Sequence, residues 1–164
     1  MSRATLEDVR KAKRIVFAGV TGSGKTTAAN LAAEILECKF IDYDEHVRWK
    51  DGRKDPWLAY SKEEQLSRLL KATEGDSWTL ATLTRVCREK ILDQIDLIVF
   101  LSYSPRVTFF RLLRRTLYRI IYRKELCNHN HESFQTLFSH DSILLWWFRT
   151  WKKTSPASTR FSVR

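Results

Sequence analysis

Short apolar runs alternate with longer stretches of helical period along most of the chain. Residues 14–18 (Arg-Ile-Val-Phe-Ala) predict a short buried strand, and residues 27–36, rich in Ala and Leu, predict a helix. Lys39-Phe40-Ile41-Asp42 predicts a second strand. Residues 46–60 carry Gly52, Pro56 and many charges, and so predict a loop with short helical pieces. Residues 61–72 predict a helix, with Ser61 as N-cap and Glu64 completing a capping box. Residues 78–82 predict a third strand, and residues 84–93 a helix. Residues 96–101 are apolar on both faces, the mark of a central parallel strand. Pro105 opens a long helix to about residue 124, followed by a polar irregular segment at 125–134 and a last helix at about 142–153. Phe161-Ser162-Val163 is a candidate final strand. Residues 1–13 are a polar leader in which Thr5 and Asp8 predict a cap on a short helix.

Alternating strands and helices imply a three-layer α/β fold, a parallel sheet with helices on both faces. In such sheets the ligand lies at the carboxyl ends of the strands. The expected organisation is a leader (1–13), one domain (14–153) with a lid at about 123–141, and a short tail (154–164).

The turn after the first strand gives that end of the sheet its chemistry. Gly19-Val20-Thr21-Gly22-Ser23-Gly24-Lys25-Thr26 fits G-x-x-x-x-G-K-[ST], the phosphate-binding P-loop. Glycines bring backbone N–H groups close to phosphate oxygens without Cβ clashes, and the helix N-terminus adds partial positive charge. Gly19, Thr21, Gly22, Ser23, Gly24, Lys25, Thr26 and Thr27 are thus the expected ATP contacts. Lys25 would reach the β- and γ-phosphates and the Thr26 hydroxyl would ligate Mg²⁺.

Composition narrows the setting. The 164 residues suit one domain, and 43% hydrophobic content suits a real core. No apolar run reaches membrane-span length, and the N-terminus has no apolar signal region. Cys38, Cys87 and Cys127 are odd in number and widely spaced, which points to a reducing, cytoplasmic setting. The net charge of +10 suits a polyanionic partner: nucleotide, nucleic acid or anionic surface. No nucleic-acid-binding motif and no N-K-x-D guanine-reading motif occur.

Three further clusters carry possible chemistry. The helix after Pro105 bears Arg106, Arg111, Arg114, Arg115, Arg119 and Arg123, of which 111, 115 and 119 are four apart and share a face. They form either an arginine comb for phosphates or a solvated basic face. Leu112, Leu113, Thr116, Leu117, Ile120 and Ile121 would cover the buried side. Asp42, Asp44 and Glu45 follow the second strand, where an acid orients an acceptor hydroxyl, takes its proton or orders Mg²⁺-bound water. Cys127, His129 and His131 alternate as ligands in an extended loop would, but they match no common zinc spacing. Trp146, Trp147, Phe148 and Trp151 read as core packing at helical spacing. No strand ends in a clean Walker-B acid, since Asp93 and Asp96 precede theirs.

On these residues the chain resembles the bacterial adenylate kinase-like P-loop family, some members of which are labelled DNA topology modulation proteins. The resemblance covers about residues 14–153. It rests on the P-loop, Asp44 with Trp49, Trp78, Tyr103 with Pro105-Arg106, and Arg111-Leu112-Leu113-Arg114-Arg115-Thr116. Its most specific part is Cys127-Asn128-x-Asn130-x-Glu132-Ser133, followed by Phe138-Ser139-x-Asp141-Ser142-Ile143 and Trp146. It implies a nucleoside monophosphate kinase-like fold with an arginine-bearing lid. Asp44 would sit on the acceptor side, and Arg111, Arg114, Arg115 and Arg119 would clamp the phosphates. The chain departs from the pattern at Ala81, Ser102, His129 and His140. The expected function is transfer of the γ-phosphoryl of ATP to a nucleoside monophosphate or other small acceptor. The alternatives are a nucleotide-binding regulator with weak catalysis and a nucleic-acid-binding protein.

Overall fold

The computed structural model describes residues 5–82, 84, 90–137 and 142–150. Helix α1 (Leu6–Lys11) begins at Thr5, whose hydroxyl accepts from the Asp8 N–H while Asp8 reaches back to the Thr5 N–H. Strand β1 (Arg14–Gly19) follows, then α2 (Lys25–Leu36), β2 (Lys39–Asp42) and a five-residue π-helical turn, Asp44–Arg48. Next come α3 (Lys62–Ala72), β3 (Trp78–Ala81), a 3-10 turn at Leu92–Gln94 and β4 (Leu97–Leu101). Helix α4 (Pro105–Ile121) leads to a hairpin of two-residue strands, β5 (Glu125–Leu126) and β6 (Asn130–His131). Helices α5 (Phe134–Leu137) and α6 (Ile143–Thr150) end the described chain.

The four main strands are parallel, in the order β2-β3-β1-β4. Each crossover buries one sheet face, so the core lies in two layers. On one face Val16, Ile41, Leu80 and Trp78 pack with Leu69 of α3, and on the other Ile15, Phe17 and Ala81 pack with Ala29 of α2. Small residues on α2 let its axis lie close to the sheet, and the Thr79 hydroxyl donates to the Ala29 carbonyl at 2.9 Å. The three-layer α/β expectation holds on both faces.

Several expectations are corrected. Among the described residues β1 is central and β4 is an edge strand, half-buried from Ile98 to Leu101. An apolar run alone does not tell an inner strand from an edge that covers a helix. Strand β3 stops at Ala81 because Thr82 takes a left-handed φ of 79° while its N–H donates to the Phe17 carbonyl. The segment after α4 is a hairpin rather than irregular. Residues 85–89 of the helix expected at 84–93, the residues after 150, and Cys87, His140 and Trp151 lie outside the described residues. No helix of the described residues is long and apolar enough to cross a membrane.

Candidate active site

The carboxyl ends of β1, β2 and β3 meet the amino end of α2. Gly19 closes β1 at a φ of +148°, and a Cβ there would stand 2.6 Å from the Leu101 carbonyl oxygen and 2.8 Å from Ser23 Oγ. Gly22, at a φ of +84°, leans on α4, where a Cβ would stand 2.5 Å from the Thr108 carbonyl oxygen. Only glycine fits both the backbone and the space at these positions. The loop then turns into α2 through a left-handed Gly24, and no side chain caps the N–H groups of the first turn. Lys25 Nζ donates to the Val20 carbonyl at 2.9 Å and so folds back over the loop. Ser23 is buried with no partner for its Oγ, whereas Thr26 and Thr27 are exposed on the first turn. An α/β sheet with this loop at its centre is a P-loop NTPase fold. The residues fit ATP with Mg²⁺: a glycine cradle, an inward lysine, a free buried hydroxyl and an exposed Thr26 at the helix start.

Electrostatics show which side chains gather around Lys25. Burial pushes its pKa down to about 8, Arg115 adds to that, and Asp44 and Asp42 oppose it. Asp44 is held above the ordinary carboxylate range, mainly by burial and against the pull of Arg48, whose guanidinium lies 3.6 Å away. Asp44 Oδ1 is itself buried without a hydrogen bond. The Cys127 thiol is pushed up to about 12, by burial first and then by Asp42 and Asp44. One lysine, two aspartates, one arginine and the hairpin cysteine thus share a single field.

The arginine-bearing helix divides its work. Arg111 stacks over Tyr103 with 4.7 Å to the ring centroid. Arg119 lies 3.7 Å from Glu132, whose pKa burial raises. Arg115, between them, is half-buried, and its Nε has no partner. Its pKa is lowered, by burial first and then by Arg119. Arg114 is exposed and, with Arg111, Arg115 and Tyr118, lines a cleft of about 320 Å³. The helix buries Thr108, Leu112, Thr116 and Ile120; of the others expected on the buried side, Leu113 and Leu117 are half-buried and Ile121 is exposed.

Asp42 carries more than its sequence position suggested. It is the register partner of Ala81, where the third strand lacks an acid. Phe40, two residues earlier, packs on the α2 side with Ala81, so the pleat places Asp42 on that same side. The signal available in sequence was Asp42 at the end of β2 together with Ala81 at the end of β3, but only the register sets them side by side. Two other readings change. Asn128 and His129 have left-handed φ of 53° and 61°, so Cys127, His129 and His131 do not line one side of an extended loop. No group of three His, Cys, Asp or Glu among the described residues is placed to hold a metal ion. Among the described members of the aromatic cluster Trp147 is buried, donating to Thr108 Oγ1 at 3.2 Å, while Trp146 and Phe148 are exposed.

No protein-family model matches the chain. It is 25% identical over 107 residues to a shikimate kinase of Burkholderia pseudomallei (strain 1710b), covering 59% of this chain and 58% of that protein. It is 29% identical over 120 residues to a probable gluconokinase of Dictyostelium discoideum, covering 62% and 60%. A shikimate kinase of Acinetobacter baumannii (strain AYE) is 30% identical over 102 residues, covering 56% of each. Among solved structures, a gluconokinase from Sinorhizobium meliloti 1021 is similar at a TM-score of 0.47 and 26% identity, covering 63% of this chain and 65% of that one. The chain spans about three-fifths of the length of these curated relatives. All of these relatives are kinases named for shikimate or gluconate, and none of them carries the adenylate kinase name or the DNA-topology label.

Proposed function

We propose that the protein is an ATP-dependent kinase that moves the γ-phosphoryl of ATP to a small-molecule hydroxyl. The observation that carries this reading is the field around Lys25, where the phosphate loop meets Asp44, Asp42 and Arg115 at one point. In this reading Lys25 and the N–H groups from Thr21 to Thr26 hold the β- and γ-phosphates. Thr26 would hold Mg²⁺, with Asp42 standing in for the acid absent at Ala81, and the ion would draw charge from the phosphate oxygens. Asp44 orients the acceptor hydroxyl and takes its proton as that oxygen bonds to the γ-phosphorus and the bond to ADP breaks. Arg115 stabilises the charge that spreads over the transferred oxygens, with Arg119, paired to Glu132, one turn farther along the helix.

A nucleoside monophosphate is one acceptor class. The relatives' names favour instead a hydroxylated carboxylic acid of the shikimate or gluconate kind, and the unpartnered Arg115 Nε suits such a carboxylate. The thiols Cys38 and Cys127 are unpaired, in keeping with the cytoplasm. A nucleotide-binding regulator with little turnover is the second reading, favoured by Ala81 and Ser102. ADP release from ATP-Mg²⁺ across a panel of monophosphates and hydroxy acids separates the two. A kinase gives release that needs one acceptor and disappears in Lys25→Ala. Tight ATP binding with silence across the panel leaves the regulator.

A further inference from the structure

The hairpin formed by β5 and β6 is bonded to the segment that follows β2. The Asn128 side chain donates to the Glu45 carbonyl at 2.6 Å and to the Trp49 carbonyl at 2.6 Å. Both neighbours are acceptors, so only the amide nitrogen of Asn128 suits them. These carbonyls bracket the π-helical turn: Glu45 is its second residue and Trp49 its C-cap. A lone π turn is poorly held by its own bonds, and helix ends leave carbonyls unpaired. Asn128 supplies the missing donors from outside. Its φ of 53° and ψ of 52° are left-handed, a conformation that asparagine tolerates better than most residues.

The surrounding contacts hold Asn128 in place. Fully buried Asn130 accepts from the Trp57 N–H at 2.6 Å and donates to the Cys127 carbonyl at 2.7 Å. The Gly52 N–H donates to the Asn128 carbonyl at 2.8 Å, and a Cβ on Gly52 would stand 2.5 Å from Asn130 Oδ1. Trp57 Nε1 donates to the His131 carbonyl at 3.1 Å.

We propose that Asn128 is a positioning residue that fixes the Asp44 turn from the hairpin, so that the acceptor-side carboxylate and the lid segment move as one unit. Its catalytic consequence rests on the kinase reading above; the clamp itself does not. Two measurements on the whole chain separate them. The Trp49 N–H closes the turn on the Asp44 carbonyl at 3.2 Å, and its hydrogen exchange reports the order of the turn without any substrate. In Asn128→Leu, which keeps size and loses the donor, that amide should exchange at least about tenfold faster. In Glu125→Ala, which removes the His129–Glu125 contact across the hairpin and leaves the Asn128 donors in place, it should not change. Asn128→Ser gives the same comparison if the leucine variant does not fold. With a working acceptor, Asn128→Leu should lower kcat about tenfold while KM for ATP stays put. Unchanged Trp49 exchange in Asn128→Leu, or equal acceleration in Glu125→Ala, overturns the clamp. Faster exchange with unchanged kcat overturns its role in catalysis. Absence of turnover in the unaltered chain removes the kinase reading, while the exchange result still decides the clamp.

Discussion

At the scale of single residues, the loop around Gly22 tolerates little change. A methyl at Gly22 meets the Thr108 carbonyl at 2.5 Å and adds strain at a φ of +84°. Gly22→Ala should therefore lower stability by about 1–3 kcal/mol in chemical denaturation and abolish ATP binding. Lys25 sets an alkaline limit. With its pKa near 8 it is a cation below that pH and loses its proton above it. Phosphate favours the cation, so ATP affinity should fall as pH rises through 8, and binding there should take up a proton. Calorimetry in buffers of different ionisation enthalpy reads both effects. Asp44 sets the acid limit in the same way. Its raised pKa means that kcat/KM for the acceptor climbs only above the ordinary carboxylate range, and Asp44→Asn should remove that limb with most of the rate. Asp42→Asn should raise the Mg²⁺ concentration needed for half-maximal rate several-fold and leave the fold intact, as checked by a Mg²⁺ titration beside a melting curve. An unchanged Mg²⁺ requirement would return Asp42 to a structural role.

At the scale of elements, local signals and long-range ones part company. Helix α3 announces itself: Ser61 accepts from the Glu64 N–H, Glu64 reaches back to the Ser61 N–H, and both partners lie within one turn. Ser61→Ala should cost about 1 kcal/mol in denaturant unfolding. Helix α4 is legible as a helix but only partly in its use. Each step of four residues advances about 40° beyond a full turn. Arg111, Arg115 and Arg119 therefore wind around the axis and meet different partners: Tyr103, the site, and Glu132. The same winding leaves Ile121 exposed at the end of the buried row. The hairpin left no pattern to read, because two-residue strands have no period and their main anchors are side-chain amides bonded to carbonyls some eighty residues away.

At the scale of the whole molecule, charge and topology act together. From Leu97 to Lys124 the chain carries Arg106, Arg111, Arg114, Arg115, Arg119, Arg123 and Lys124 and no acid. This stretch lies beside the phosphate loop, so it should steer polyanions toward it. ATP association should slow several-fold between about 0.05 M and about 0.5 M salt, as read by stopped-flow mixing. Salt-independent association would place the useful charge elsewhere. The sequence by itself determined the four main strands, the helices α1 to α4 and α6, the phosphate loop, the capping boxes and the parallel α/β plan. These depend on contacts between near neighbours or on a side-chain period, and both are written in order along the chain. Only the tertiary structure decided that β4 is an edge among the described strands, that Asp42 stands beside Ala81, that Arg115 rather than Arg111 lowers the pKa of Lys25, and that Asn128 holds the turn of Asp44. Each of those facts depends on sheet register, helix rotation or a bond across the fold, and residues far apart in sequence acquire such relations only when the core closes around them.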